Sequence, residues 1–403
     1  MSNVQLDLLF TILAAFVVLA AGQLLVARVG VLRRFSIPAP VVGGVLVAIL
    51  LAVADGFFGV KVSFNMALRD NLLLMFFTTV GLSADARMLK KGGPKLMAFL
   101  AVSMVFIVIQ NVVGIGAALA LDLHPVVGLL GGSITLTGGH GTGAAYGARF
   151  ADTMNIAGAM ELTMACATAG LVLGSLLGGP LAQYLVRRYH LSPAAVPTGA
   201  GTHETERETD PITTQSVLNT LFAILASLAL GKLLAQLVQE TGVILPDFLF
   251  CLLLGVVIRN ASAVIPAARV SGATVDLLGG VSLSLFLVMA LMGMRLVDLV
   301  SLAGPLVIIL SLQAIAMAAY ATFVTFRVMG RDYDAAILAA GHVGFALSST
   351  AAALAIMKTI TDRNGPSPLA FVIVPMVGAF FIDIANALVI QGYLALPFFG
   401  FPT

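Results

Sequence analysis

Residues 131–145 read GGSITLTGGHGTGAA, and glycine occupies four of the last eight positions. Apart from Ile134, Leu136 and His140, the remaining side chains are small or carry a hydroxyl group. Glycine allows a tight turn and lets a ligand approach the backbone. The stretch therefore predicts a break in a helix. It is typical either of a ligand site built largely from backbone groups or of close helix packing through small residues.

Around this stretch the chain is more apolar than a soluble domain requires. Of its 403 residues, 60% are hydrophobic and 10% are charged, whereas soluble domains are about 45–50% apolar and about 25% charged. The excess apolar surface predicts contact with membrane lipid. With a net charge of +2 and no long basic run, we expect no nucleic-acid partner. Cys166 and Cys251 lie in separate apolar runs, which argues against a disulfide framework.

About ten apolar runs are long enough to cross roughly 30 Å of hydrocarbon as helices. The predicted spans are residues 5–27, 37–54, 71–87, 96–121 and 160–186 in the first half, and residues 215–238, 244–258, 275–294, 304–326 and 368–394 in the second. The polar stretch 187–214 is interpreted as a solvated linker. The sequence thus predicts an all-α integral membrane protein with an N-terminal unit, residues 1–186, and a C-terminal unit, residues 215–403.

Each half contains one further apolar region dense in small residues, residues 125–148 and 333–357. If both are re-entrant hairpins, 16 of the 21 Lys and Arg residues share one side of the membrane, four lie opposite, and Lys232 falls within a span. The sixteen are Arg28, Arg33, Arg34, Arg87, Lys90, Lys91, Lys95, Arg187, Arg188, Arg207, Arg259, Arg269, Arg327, Arg331, Lys358 and Arg363. This bias marks their side as cytoplasmic. The linker is then cytoplasmic and both termini are periplasmic.

The two halves are predicted to be inverted repeats of five helices. An odd number of spans gives related halves opposite orientations in the membrane. Similar motifs recur at an offset of about 210 residues, although chance similarity among glycine-rich segments is the alternative. The matched positions are Ile37 with Leu245, Gly81 with Gly293, Gly93-Pro94 with Gly304-Pro305, and Asp122 with Asp332.

An acidic residue within the last predicted span marks a candidate site. Asp383 lies in VGAFFIDIANALVI, one helical turn before Asn386, so both face the same way. Burying a carboxylate in the membrane is costly, which favours a functional role for Asp383, and a cation would offset that cost. A structural hydrogen bond to a neighbouring span is the alternative.

Other features leave further interpretations open. Gln110 and Asn111, in the fourth predicted span, are either interhelical hydrogen-bonding groups or part of a site wall. The motif TTVGLS at Thr78 resembles a channel filter, yet it lies inside an uninterrupted apolar run. A membrane enzyme is not favoured, because neither a His-Glu-x-x-His zinc motif nor a Gly-x-Ser-x-Gly elbow occurs.

Five segments resemble the bacterial sodium/glutamate symporter family, in the family's order and over nearly the whole chain. They are GSITLTGGHGTGAA, ACATAGLVLGSLLGGPLA, VSLSLFLVMALMGM, YDAAILAAGHVGF and FVIVPMVGAFFIDIANALVI. The resemblance implies Na⁺-coupled symport of L-glutamate across the bacterial inner membrane without a cofactor. It further implies opposed re-entrant hairpins in inverted repeats, a lipid-embedded homodimer and an elevator-type movement.

Under this resemblance, glutamate is expected between the two hairpin tips, with its carboxylates bound by backbone N–H and hydroxyl groups. The expected substrate-binding residues are Thr137, Gly138, Gly139, His140, Gly141, Thr142, Ser348, Ser349, Thr350 and Asn386. The expected Na⁺-binding residues are Asp383, Ser133 and Gly344. A cation-coupled carrier of another small dicarboxylate or hydroxycarboxylate would keep the same architecture and remains the alternative.

The second hairpin departs from the family pattern. The family commonly reads Gly-Phe-Gly-Leu-Gly-Ala-Thr-Pro, whereas residues 344–351 here read GFALSSTA. Two glycines and a proline are therefore replaced by Ala346, Ser348 and Ala351. These changes stiffen the hairpin or alter a cation site, so the substrate range and the Na⁺ stoichiometry stay open.

Overall fold

The computed structural model describes residues 2–34, 37–84, 93–154, 156, 158–193, 211–239, 247–262, 270–292 and 303–399. Most of them are helical, because a helix pairs its own backbone N–H and C=O groups where water is absent. Seven of the described helices have the length and apolar composition needed to cross a membrane.

The described helices follow one another in a similar order in the two halves. The first half contains α1 (Leu8–Arg28), α2 (Gly30–Arg34), α3 (Ala39–Phe58), α4 (Arg69–Ser83), α5 (Gly93–Ala120), α6 (Pro125–Leu130), α7 (Gly139–Met154) and α8 (Ala159–Arg188). The second contains α9 (Thr214–Gln239), α10 (Asp247–Ser262), α11 (Gly272–Met292), α12 (Ala303–Tyr320), α13 (Phe326–Val328), α14 (Tyr333–Leu347), α15 (Thr350–Asn364), α16 (Pro368–Met376) and α17 (Ile382–Leu394). π-Helical turns join α12 to α13 (Ala321–Thr325) and α16 to α17 (Val377–Phe381), and a 3-10 turn follows at Pro397–Phe399.

Most of the predicted spans coincide with described helices to within a few residues. Among the helices that match undivided predicted spans, α4 and α10 are the shortest, with 15 and 16 residues. Both lie next to residues outside the described ranges. Three predicted span ends, residues 87, 244 and 294, lie outside the described ranges, as do Gly293 and Leu245 of the matched motifs and residues 194–210 of the predicted linker. The last predicted span is divided by a π-helical turn directly after Pro375, which has no N–H group to continue the α-helical ladder.

The all-α prediction misses one small sheet. Strands β1 (Ser2–Leu6) and β2 (Val60–Phe64) pair in parallel. The first predicted span, which began at residue 5, was therefore placed too early. The helix begins at Leu8 after Asp7, whose side chain accepts a hydrogen bond from the N–H of Phe10 at 2.9 Å. Residues of β2 alternate between half-buried and exposed, the period of a strand rather than a helix.

Both predicted hairpin regions contain two helical arms with a break between them. A stretch of turns separates α6 from α7, and two serines separate α14 from α15. In the second region the two arms pack against each other, and a Cβ atom on Gly344 would overlap the backbone of Ala353. In the first region a Cβ atom on Gly143 would lie 3.2 Å from Cγ2 of Thr135, which belongs to the turns before α7. Small residues thus allow close packing around both breaks.

The helices pack in two groups, and each group takes members from both halves. The first, called the α4 group, consists of α1, α3, α4, α9, α10 and α11, with α4 packed extensively on α10 and α11. The second, called the hairpin group, consists of α5 to α8 and α12 to α17, with α14 packed on α8 and α15. Contacts between the groups are fewer and include α11 with α7 and α4 with the Val377–Phe381 turn. A cavity lies at this boundary.

The TTVGLS motif lies within the regular helix α4. The hydroxyl of Thr78 donates to the Leu74 carbonyl at 2.8 Å, and that of Thr79 donates to the Phe76 carbonyl at 2.6 Å. A selectivity filter requires a ring of carbonyl oxygens free to replace the water around an ion. Carbonyls inside α4 are committed to the helix, so the motif gives no support to a channel.

Two glycines set the distance between α5 and α6. A Cβ atom on Gly114 would overlap the carbonyl of Gly128, and one on Gly128 would overlap the backbone of Gly114. The two helices therefore approach more closely than any larger side chain permits. Gly116 lies on the same helix, yet nothing is within 4 Å of where its Cβ would be.

We expect Gly114→Ala to lower the free energy of unfolding by about 1–3 kcal/mol, because the added methyl group forces the two backbones apart. The matched control is Gly116→Ala, which adds the same methyl group to open space and should leave stability unchanged or raise it by up to about 1 kcal/mol. Thermal unfolding of the detergent-purified variants measures both. Equal melting temperatures would contradict the close contact between α5 and α6.

Candidate functional site

A cavity of about 490 Å³ lies between the α4 group and the hairpin group. This volume is within the range of small-ligand sites, about 300–1,000 Å³. The hairpin group contributes Thr137, Gly138, Gly139, His140, Gly141, Leu171, Phe345, Ser348, Ser349, Thr350, Ala351, Gly378 and Asp383. The α4 group contributes Pro40, Phe76, Leu283, Ser284 and Leu287, and Pro38 lies directly before its helix α3.

The first hairpin presents the start of a helix to this cavity. Helix α7 begins at Gly139, whose φ of +66° is a left-handed conformation that favours glycine. The first backbone N–H groups of a helix have no partner within the helix, and they carry a positive partial charge. Thr137 and Gly138, at the end of the turns that precede α7, complete the tip. The tip therefore offers an anion both N–H donors and a hydroxyl group.

The second hairpin presents another helix start to the same cavity. Helix α15 begins at Thr350, and the Ser349 hydroxyl accepts a hydrogen bond from the N–H of Ala352 at 3.2 Å. That cap satisfies one of the unpaired N–H groups and leaves others available at the cavity. The hydroxyl of Ser348 is buried and has no hydrogen-bond partner among the described residues. Two helix N-termini thus converge on one cavity.

Asp383 is the charged residue among the described residues that line the cavity. It lies in the first turn of α17 and is half-buried because part of its surface faces the cavity. No hydrogen bond or salt bridge joins its side chain to a described residue. A carboxylate in an apolar surrounding requires a cationic partner or a hydrogen bond donor. The cavity therefore combines a place for a cation with two places for anions.

His140 is held at the rim of the first tip by a helix of the same group. Its Nε2 atom lies 3.1 Å from the hydroxyl oxygen of Thr168 on α8. The side chain is 8% exposed, and what remains exposed faces the cavity. This bond holds the ring in one orientation beside the tip.

The structure divides the predicted site residues into two sets. Eight predicted substrate-binding residues and Asp383 line the cavity: Thr137, Gly138, Gly139, His140, Gly141, Ser348, Ser349 and Thr350. Thr142, Asn386, Ser133 and Gly344 do not.

Two members of the second set support the first tip from behind. The side-chain amide of Asn386 donates to the Ser133 carbonyl at 3.0 Å, so Asn386 is bonded to the hairpin and is not directed into the cavity. The Ser133 hydroxyl and Asn386 Oδ1 are buried without a partner among the described residues. Gly344 lies where the two arms of the second hairpin pack on Ala353.

The wall contributed by the α4 group is the part that sequence reasoning missed. Phe76, Leu283 and Leu287 are ordinary apolar residues of spanning helices, and nothing in their local pattern distinguishes a cavity wall from a lipid-facing surface. Pro38 directly precedes helix α3, and Pro40 lies in its first turn. These prolines of the motif IPAP are the one sequence signal that points to this segment.

Gln110 and Asn111 form a buried polar cluster between the two hairpins. The Thr137 hydroxyl donates to Gln110 Oε1 at 2.6 Å, and Gln110 Nε2 donates to the Ala346 carbonyl at 2.9 Å. Asn111 Oδ1 accepts from the backbone N–H of Ser133 at 3.0 Å. Of the two interpretations open from sequence, these contacts support hydrogen bonding between segments.

Within the described residues, no group of three or more His, Cys, Asp or Glu side chains is placed to hold a metal ion. The cavity instead offers hydroxyl groups, backbone groups and one carboxylate. Such oxygens bind a hard, weakly held cation and not a transition metal.

A cavity bounded by two interrupted helices, inside a helical membrane protein, is typical of carriers of small solutes. The chain belongs to the sodium/glutamate symporter family, whose pattern matches residues 4–366. It is 49% identical over 399 residues to the sodium/glutamate symporter of Escherichia coli (strain K12), covering 98% of this chain and 99% of that protein. It is 45% identical over 387 residues to that of Haemophilus influenzae, covering 94% and 95%. These relatives are transporters, and the chain is accordingly not an enzyme.

The solved structures that resemble this chain include that of the sodium proton antiporter of Methanocaldococcus jannaschii at pH 8. It covers 98% of this chain and 99% of its own, with 13% sequence identity and a TM-score of 0.26. A TM-score this low carries no argument about the fold.

We expect a cysteine at Ser349, which lines the cavity, to react with a water-soluble maleimide. Ser133→Cys is the matched control, because Ser133 is a nearby serine with 0% exposure. The native cysteines are both buried, so background labelling should be low. Mass spectrometry of the intact variants measures labelling. Equal labelling of the two positions would contradict the cavity at the second tip.

Proposed function

We propose that this protein imports L-glutamate together with Na⁺ across the bacterial inner membrane. Membership of the sodium/glutamate symporter family and the names of its relatives support the substrate and the coupling ion. The observation that carries the proposal is the convergence of two helix N-termini and one unpartnered carboxylate on a single cavity.

The charges of this cavity complement those of an amino dicarboxylic acid. The N-termini of α7 and α15 suit the two carboxylates of glutamate, since helix N-termini bind anions. Asp383 suits its ammonium group. A dicarboxylate without an amino group would leave Asp383 unpaired and close to a second negative charge. The cavity therefore favours glutamate over the alternative of a simple dicarboxylate.

Charge balance gives a reason for the coupling to Na⁺. Glutamate carries −1 and Asp383 carries −1, whereas two helix N-termini contribute about +0.5 each. The occupied cavity is thus left with about one negative charge, and one Na⁺ neutralises it. Asp383 would then contact both the ammonium group and Na⁺, and Ser133 and Gly344 remain the other proposed Na⁺ contacts, supported by the unpartnered hydroxyl of Ser133. Asn386 Oδ1, also unpartnered, is one turn from Asp383 and joins them.

The movement we propose is of the elevator type, with the hairpin group sliding against the α4 group. Both hairpins and Asp383 belong to one group, and contacts between the groups are fewer than those within them. A bound solute would then travel with the hairpin group. The re-entrant hairpins, the inverted repeats, the homodimer and the periplasmic termini belong to the same proposal and rest on the charge pattern and the family resemblance.

We expect Asp383→Asn to reduce Na⁺-driven uptake of radiolabelled L-glutamate into proteoliposomes by at least about 30-fold, because losing one partner of a buried charge pair costs about 2–5 kcal/mol. Glutarate, which lacks the amino group, should compete for the site in Asp383→Asn at least as well as in the wild type. Asp362→Asn, an exposed carboxylate of α15, is the matched control.

Several outcomes would contradict parts of this proposal. No uptake by well-inserted wild-type protein would exclude glutamate as the substrate, and a screen of dicarboxylates would follow. Uptake that persists when K⁺ replaces Na⁺ would exclude Na⁺ coupling. An equal loss of glutamate and glutarate binding in Asp383→Asn would remove the proposed pairing of Asp383 with the ammonium group.

A further inference from the structure

Gln110 connects the two hairpin tips through its side chain. It lies on α5 and is fully buried, away from the cavity surface. Its Oε1 atom accepts the hydroxyl proton of Thr137 at the first tip, 2.6 Å away. Its Nε2 atom donates to the carbonyl of Ala346, two residues before Ser348 at the second tip, 2.9 Å away.

The orientation of the Gln110 amide is set by its neighbours. A carbonyl oxygen only accepts hydrogen bonds, so the group facing Ala346 O must be the NH₂ group. The amide oxygen is then directed at Thr137. The backbone carbonyl of Gln110 is also bonded, accepting from Gln313 Nε2 at 2.8 Å, which fixes this part of α5.

Thr137 has one proton to donate and more than one acceptor within reach. Its hydroxyl oxygen is 2.6 Å from Gln110 Oε1 and 3.2 Å from Ala346 O. Thr137 also lines the cavity. A carboxylate bound at the first tip is a stronger acceptor than a neutral amide, because hydrogen bonds to ionised groups are roughly twice as strong. The substrate and Gln110 therefore compete for the same proton.

We propose that this competition couples glutamate binding to Na⁺ binding, an inference that rests on the proposed function. When the Thr137 hydroxyl turns to the substrate carboxylate, Gln110 Oε1 loses its donor in a buried site. An unpaired buried acceptor is costly. A second Na⁺ ion, separate from the one proposed at Asp383 and bound by Gln110 Oε1 and the freed lone pairs of the Thr137 oxygen, offsets that cost. Without substrate the same oxygen is occupied by the Thr137 proton, so Na⁺ binds there weakly.

This coupling gives Gln110 a positioning role that can be told from a structural one. The two roles predict different changes in glutamate affinity when Na⁺ is absent. In Gln110→Met the acceptor is absent, so the substrate no longer leaves an unpaired oxygen when it takes the Thr137 proton. Glutamate should then bind as well as or better than in the wild type without Na⁺, and less well in saturating Na⁺. A variant that only disturbs packing would weaken binding in both conditions.

The experiment measures the dissociation constant of L-[³H]glutamate for full-length protein in nanodiscs, with saturating Na⁺ and with choline in its place. Couplings between ligands are typically about 5–150-fold, and we expect Gln110→Met to reduce the Na⁺-induced tightening by about tenfold or more. Ser103→Ala is the matched control, because the Ser103 hydroxyl is a buried polar group of α5 that bonds only its own helix at Phe99 O, at 2.8 Å. It should leave the ratio unchanged.

A double-mutant cycle separates this mechanism from two independent effects. Thr137→Val should also abolish the tightening, and the double variant with Gln110→Met should show no further loss, because both act through one hydrogen bond. Thr137→Ser keeps the hydroxyl and should restore the ratio. If Gln110→Met does not yield folded protein, the comparison of Thr137→Val with Thr137→Ser decides.

An unchanged ratio in Gln110→Met, or equal weakening with and without Na⁺, would overturn the coupling role of Gln110. Additive losses in the cycle would overturn the shared hydrogen bond. Wild-type protein that binds no glutamate in Na⁺ would instead refute the proposed function, and this result is distinguishable because it does not depend on any variant.

Discussion

In hydrocarbon there is no water to pair a free backbone N–H or C=O group, and each unpaired group there costs several kcal/mol. Most of this chain meets that constraint by being helical. Around the cavity the described residues depart from this at two places: the turns before Gly139 and the serines at 348 and 349 leave helix ends open inside the protein. Those breaks must be enclosed by other parts of the protein or satisfied by a ligand. The same unpaired groups that make the breaks costly are those through which the proposed site would bind ions.

The surrounding polar residues meet this requirement in a specific way. Asn111 accepts from the backbone of Ser133, Asn386 donates to its carbonyl, and Gln110 joins Thr137 to Ala346. Each of these side chains comes from a spanning helix and bonds a hairpin backbone or tip. The cluster supports the breaks on the side away from the cavity and leaves the cavity side, with its N–H groups and hydroxyls, available to a solute.

Close contacts at glycine residues hold helices together within each of the two groups. Gly114 and Gly128 bring α5 against the first hairpin, whereas Gly81 and Gly255 bring α4 against α10. At these contacts an added Cβ would overlap backbone, so the helices have little freedom to slide within a group. At the boundary between the groups, which contains the cavity, the α4 group presents larger side chains such as Phe76, and a Cβ atom on Gly141 of the hairpin group would lie 2.7 Å from the Phe76 ring. The two groups nevertheless share fewer contacts than the helices within each group, which is what the proposed sliding movement requires.

Much of this protein was determined by its sequence alone. Long apolar runs can only be helices in lipid, which predicted the positions of most described helices closely, and clusters of glycine and serine predicted both breaks, because those residues suit interrupted helices. Asp383 was also identifiable, since a carboxylate inside a span is costly. The tertiary structure alone decided which residues line the cavity: Phe76 and Pro38 do, whereas Thr142 and Asn386 do not. It also decided that Gln110 bonds Ala346, 236 residues further along the chain. Such contacts depend on the rotation and register of helices packed across the two halves, and apolar runs that are hydrophobic on every face contain no periodic signal that specifies either.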